Sequence, residues 1–175
     1  MQRADVGIAL GLLFGIGGWT GTFAGGFLTD YFGKKDKRSY LKIPAFAILL
    51  SIPFAAGALF FKQTALSLAC LGCCTLLHSL YLGPSIAVAH SLVPAPMRAL
   101  TSAVLFLVLN LIGLGFGPLV VGIISDLLAP SLGKESLRWA MSIILPMSIA
   151  SSTLFFIAAG KMKVDLKLTP VPEQQ

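Results

Sequence analysis

Five apolar runs, at about residues 6–29, 43–61, 65–92, 100–128 and 139–160, constrain this chain more than any other feature. A helix rises about 1.5 Å per residue, so roughly 20 apolar residues cross the hydrocarbon core of a bilayer. Each run is near that length or beyond it, and the links between them are too short to be domains. The runs are apolar throughout, whereas a membrane strand alternates in and out over about ten residues, so helices are expected and barrel strands are not. The predicted architecture is therefore all-α and integral to the membrane. It has a helical bundle over residues 1–160 and a tail over residues 161–175, whose Pro170, Pro172 and polar side chains cannot bury themselves.

Composition excludes the main alternatives. Hydrophobic residues make up 56% and charged residues 11%, and the mean hydropathy of +0.88 is too high for a water-facing surface. A net charge of +6 invites a nucleic-acid reading. The basic residues, however, sit in links and tail, where cytoplasmic retention and anionic lipid account for them, so membrane lipid is the expected partner and nucleic acid is not. The first run is glycine-rich and longer than the roughly 7–15 residue apolar core of a cleavable signal, so it is expected to stay in the mature protein.

Orientation follows from the basic residues. With five alternating crossings, one side receives Lys34, Lys35, Lys37, Arg38, Lys42, Arg98, Lys161, Lys163 and Lys167, and the other receives Arg3, Lys62, Lys134 and Arg138. Lys and Arg in short loops stay inside, so the 33–42 link and the C-terminus are expected in the cytoplasm and the N-terminus outside. An external N-terminus without a signal is explained if a further helix precedes Met1.

The 33–42 link is the most distinctive local pattern: Gly26-Phe-Leu-Thr-Asp30-Tyr-Phe-Gly33-Lys34-Lys35-Asp36-Lys37-Arg38. Asp30 closes the first run on the cytoplasmic side. A carboxylate there is badly placed for its own helix dipole but well placed to meet the positive N-terminus of a neighbouring helix, as a latch. Gly33 is expected to permit a tight turn, and Lys34, Lys35 and Arg38 to pair with Asp30 or Asp36 or to meet lipid phosphates. The plainer reading is a solvated positive-inside loop.

Glycines and prolines indicate packing and bending. Gly7, Gly11, Gly15, Gly18, Thr22 and Gly25 fall within an arc of about 80° and predict a small-residue stripe for close helix approach. Gly113, Gly117, Pro118 and Gly122 interrupt the fourth run, where glycine with proline bends a helix, as a hinge or as a static kink. Pro53, Pro84 and Pro146 are weaker versions of that signal.

Polar groups at membrane depth point to a solute path. Cys74, His78, Tyr81 and Ser85 recur at helical spacing on the third run. His78 suits a hydrogen bond to solute or a proton near neutral pH; it equally suits a neutral histidine bonded to a neighbouring helix. Asn110, on the face of Gly113 and Gly117, can contact solute or bridge helices, and Trp19 can line a cavity edge or fill an interface. These four, His78, Tyr81, Asn110 and Trp19, are the expected substrate-binding residues.

No enzyme is expected. Ser79 adjoins His78, but neighbours on a helix point about 100° apart and cannot form a nucleophile–base pair. No cofactor fingerprint is present. Cys70, Cys73 and Cys74 lie in one apolar run without further ligands, which favours packing over metal or redox chemistry. No run carries a midplane carboxylate, since Asp30 and Asp126 lie near run ends and Asp5 and Glu135 at outer edges. Proton coupling within this chain would fall to His78. A carrier and a noncatalytic membrane assembly subunit or pore component both fit these residues.

The spacing Gly26-x-x-x-Asp30-x-x-Gly33-Lys34-Lys35-x-x-Arg38 resembles the signature loop of the major facilitator superfamily, which joins the second and third helices of each six-helix half. Tyr31 stands where that pattern has a base. Arg98 and the run Asn110-Leu-Ile-Gly113-Leu-Gly115-Phe-Gly117-Pro118-Leu-Val-Val-Gly122 are similar to the glycine–proline helix of spinster-like bacterial members. The resemblance implies that the five runs correspond to helices eight to twelve of a twelve-helix transporter, in a bacterial inner membrane, lacking the N-terminal helical half as partner. It implies a small organic or amphiphilic solute moved by alternating access, the third run lining the central cavity. Gly26, Asp30, Gly33, Lys34, Lys35 and Arg38 would then form a gating loop against the other half, and Arg98 would face that half's own loop.

Overall fold

The structure, a computed structural model, describes the backbone of residues 3–168 and the side chains of residues 7–162. The described residues form helices only: α1 (Arg3–Gly33), α2 (Ser39–Phe60), α3 (Thr64–Ser79), α4 (Leu82–Ser91), α5 (Arg98–Val108), a π-helical stretch (Leu109–Phe116), α6 (Gly117–Leu132), α7 (Ser136–Met141) and α8 (Ile144–Leu168). The expected tail begins as the end of α8, and residues 169–175 lie outside the described residues, as do the side chains of Arg3, Asp5, Lys163 and Lys167.

Four helical stretches are long and apolar enough to cross a membrane: Gly7–Gly33, Ser39–Phe60, Thr64–Ser91 and Ala95–Met162. The last is 68 residues long and has room for two crossings.

Proline decides where helices restart. Pro84, Pro118 and Pro146 each fall in the first turn of α4, α6 and α8, where a missing N–H costs no helix bond. The 65–92 run is thus two helices, divided at Leu80–Tyr81, and the 139–160 run is divided at Ser142–Ile143. Pro53 behaves differently, since α2 continues through it. At the end of α6, Gly133 adopts φ +53°, a backbone that glycine reaches without strain.

α2 is the centre of the packed region, with α3 and α8 against it and α1 against α3. Its inner face is closed to solvent, with Ala45 at 0% and Ile48 at 1% exposure. Hydroxyls fasten the helices across this region: Ser152 Oγ donates to the Ala45 carbonyl at 2.9 Å, and Ser67 Oγ to the Ala58 carbonyl at 2.6 Å. In a bilayer such bonds and close packing hold helices together, because lipid is as apolar as leucine.

The small-residue stripe is corrected by the structure. Gly7, Gly11 and Gly15 face open space, and the seam with α3 and α4 is made by Gly17, Gly21, Thr22 and Gly25. A Cβ on Gly21 would collide with the Leu76 carbonyl, and one on Gly25 with the Leu80 carbonyl. The cause lies across the seam: the break before Pro84 turns backbone toward α1, and Pro84 offers no N–H for the Leu80 carbonyl to accept. Only glycine at position 25 leaves room for that oxygen.

Candidate gating site at the end of α1

α1 has two unlike faces. The side carrying Gly17, Gly21 and Gly25 is packed, while Leu12, Ile16, Trp19, Phe23 and Phe27 stand exposed on the other, Trp19 at 73%. Trp19 stacks on Phe23, ring centroids 6.3 Å apart. Beside these rings Gly26 has nothing within 4 Å of where a Cβ would point. Trp19, Thr22, Phe23, Gly26, Phe27 and Asp30 line a groove of about 450 Å³.

Asp30 ends that exposed face and also borders a second, larger cavity that is partly open to the outside. This one, about 620 Å³, lies where α1, α2, α4 and α8 converge, and its wall includes Gly33, Lys34, Lys37, Tyr40, Val88, Ser91 and Met162. The Tyr40 hydroxyl donates to Asp30 Oδ1 at 2.7 Å. The Tyr40 ring lies against Gly33 so closely that a Cβ there would collide with it. Any larger residue at position 33 would push that aromatic ring aside. Gly33 does not adopt the positive φ expected of a tight-turn glycine.

Lys34, Lys35 and Arg38, expected to pair with Asp30 or Asp36 or to meet lipid phosphates, form no ion pair with either acid among the described residues. Asp36 accepts the Arg38 backbone N–H at 3.1 Å and pairs with Lys42 at 3.9 Å. Asp36 thus serves the start of α2, where the first N–H groups have no partner within the helix and an acid complements the dipole. Lys34 and Lys35 remain exposed, and the Arg38 Nε is buried without a partner among the described residues. Tyr40 was missed by the sequence reading. The signal for it was a hydroxyl at the first turn of the next helix, within reach of the acid once the hairpin closes.

The four expected substrate residues are not gathered into one cavity. Trp19 lines the outer groove of α1. His78 and Tyr81 meet edge to face at 5.8 Å across the α3–α4 break, and Tyr81 continues to Phe155 of α8 at 6.5 Å. Asn110 is exposed, and its side-chain amide donates to the Phe106 carbonyl at 2.7 Å, one turn back on its own helix.

The glycine–proline interruption expected in the fourth run, as a hinge or as a static kink, takes a particular form. Around Gly113 the chain runs as a π-helix of eight residues, and the Gly117 N–H reaches the Ile112 carbonyl, five residues back. Pro118 then opens α6. Wider π turns inside α-helices are uncommon and recur at functional sites. Gly113 and Gly122 have open space around them. Arg98, at the first turn of α5, is exposed.

A helical, multi-pass membrane protein with an acid-tipped aromatic face is the class that this geometry defines. The comparisons narrow it. Over 167 residues the chain is 30% identical to an MFS-type efflux pump of Mycolicibacterium smegmatis (strain ATCC 700084 / mc(2)155), covering 95% of this chain and 39% of that protein. Its fold matches a bacterial homologue of the human lysosomal transporter Spinster, inward-facing and unoccupied, with a TM-score of 0.62, 23% identity, and coverage of 89% of this chain and 38% of that one. The inward-facing, occupied form of such a homologue matches with a TM-score of 0.58 and 23% identity. No family model matches the chain. The likeness to major facilitator transporters seen in the signature loop is thus borne out, and the chain has the fold of part of such a transporter. It spans less than two fifths of the length of these relatives.

Proposed function

We propose that this chain is part of a secondary active transporter, contributing the equivalents of helices eight to twelve and moving a small organic or amphiphilic solute by alternating access. The observation that carries the reading is the placement of Asp30: exposed, at the C-terminal end of an aromatic face of α1 that no other described residue covers, beside a groove open at Gly26. Such a face suits a helix of a second half, whose positive N-terminus the carboxylate would latch. The likeness to an efflux pump, and coverage near what five of twelve helices would occupy, support the same reading. In it the 33–42 loop and the C-terminus lie in the cytoplasm of a bacterial inner membrane. His78 and Tyr81 contact solute, and the π-helical segment with Gly117–Pro118 flexes as the halves rock.

The test is transport by the complete protein in liposomes, screened with labelled organic and amphiphilic solutes under ion gradients. Asp30→Asn is expected to lower turnover while leaving solute affinity nearly intact. Equal loss of both rejects the latch, and a wild-type protein that binds no solute and moves none favours an assembly subunit.

A further inference from the structure

Asp30 needs a fixed direction if it is to meet a helix end, and none of the neighbouring bases supplies one. Lys34 and Lys37 line the same cavity as Asp30 but form no ion pair with it, Lys35 is exposed, Lys42 is engaged with Asp36, and Tyr31, in the position next to the acid, has no charge and stacks edge-on against Phe32 at 5.3 Å. What holds the carboxylate is the Tyr40 hydroxyl on Oδ1. Tyr40 is itself well placed to hold it, with its ring against Gly33 and beside the buried cluster of Leu41, Ala159 and Met162. A hydroxyl on a wedged ring is a stiffer partner than an ammonium on a four-carbon stem. It also takes only one of the two carboxylate oxygens, and Asp30 borders both the larger cavity and the outer groove.

We infer that Tyr40 is the positioning residue of the latch, its hydroxyl holding one oxygen of Asp30 from the α2 side so that the other is presented to a partner helix in the Trp19–Phe27 groove. This rests on the latch reading of Asp30. It assigns to an uncharged side chain of the next helix the task that a base beside the acid would otherwise perform, and it makes α1 and α2 move as one body at their cytoplasmic ends.

The test needs no identified solute. In the complete transporter, with Cys70, Cys73 and Cys74 changed to serine, a Phe27→Cys variant reports opening of the groove through its rate of modification by a fluorescent maleimide. Asp30→Asn is expected to speed labelling, Tyr40→Phe to speed it by about five-fold or less, and the double variant to label no faster than Asp30→Asn alone. Because phenylalanine keeps the ring on Gly33, the melting temperature should move little. If it does move, replacing Tyr40 by p-aminophenylalanine, which sets an N–H donor at the same reach, should restore slow labelling. Asp30→Asn faster with Tyr40→Phe unchanged, additive effects in the double variant, or no rescue by the amine each overturn the inference while sparing the latch. An Asp30→Asn protein that labels at the wild-type rate removes the latch, and with it the role of Tyr40.

Discussion

The α1–α3 seam and the α5–α6 arm are both apolar and rich in glycine, yet glycine does opposite work in them. In the seam, Gly21 and Gly25 are small because backbone carbonyls of Leu76 and Leu80 press on them. In the arm, Gly113 and Gly122 have open space around them, and neither α5, the π-helical stretch nor α6 has a buried residue. Here glycine lies where the helix widens to π geometry before Pro118 and just beyond it. The lesson is that a glycine count reports neither packing nor bending. What decides is whether another backbone lies across from it.

Substitutions that add volume should separate the two regions first. Gly25→Ala places a methyl against backbone that cannot swing aside, so a loss of about 2 kcal/mol is expected, read as a lower melting temperature in detergent. A stability equal to wild type would mean that the seam is looser than described. Function should divide along the same line. On the seam side, His78→Ala is expected to weaken solute affinity about five-fold, the value of roughly one hydrogen bond, in equilibrium binding to the complete transporter. Asn110→Ala on the arm should change it less, because its amide already serves the Phe106 carbonyl. The reverse order would move the solute site to the arm.

Smaller effects sharpen the contrast. Ser152→Ala deletes the bond to the Ala45 carbonyl that ties α8 to α2, and about 0.6 kcal/mol is expected for an interhelical bond in a membrane protein, measurable by unfolding in mixed micelles. Least costly is Gly122→Ala, which meets nothing within 4 Å and exchanges the poorest ordinary helix former for the best, so stability should hold or rise by up to about 1 kcal/mol. A cost matching that of Gly25→Ala would erase the distinction between seam and arm.

The all-helical membrane class was legible because crossing a bilayer imposes length and apolarity, which a sequence displays directly. The signature loop was legible because its spacing is dense over a few residues, from Gly26 to Arg38. The seam glycines were not. A helical wheel shows that small residues share a side but not which part of that side meets backbone, and it is α3, another helix, that lies across from Gly17 and Gly21 and not from Gly7 and Gly11. Charge counting misjudged the partner of Asp30 for a related reason. It weighs ions, and the partner is a neutral phenol that only the hairpin between α1 and α2 brings within 2.7 Å. Pro84, Pro118 and Pro146 were visible as interruptions, but whether a proline restarts a helix or is carried within it, as Pro53 is in α2, depends on what packs around it.

The central claim is that the exposed face of α1 belongs to a contact that opens at one end as it closes at the other. The most direct measurement is cysteine modification at Phe27→Cys, near Asp30, and at Leu12→Cys, toward the far end of the same face, in the complete transporter with and without a transported solute. The account predicts reciprocal changes, one rate rising as the other falls. Rates that stay constant, or that shift in the same direction at both positions, would contradict it.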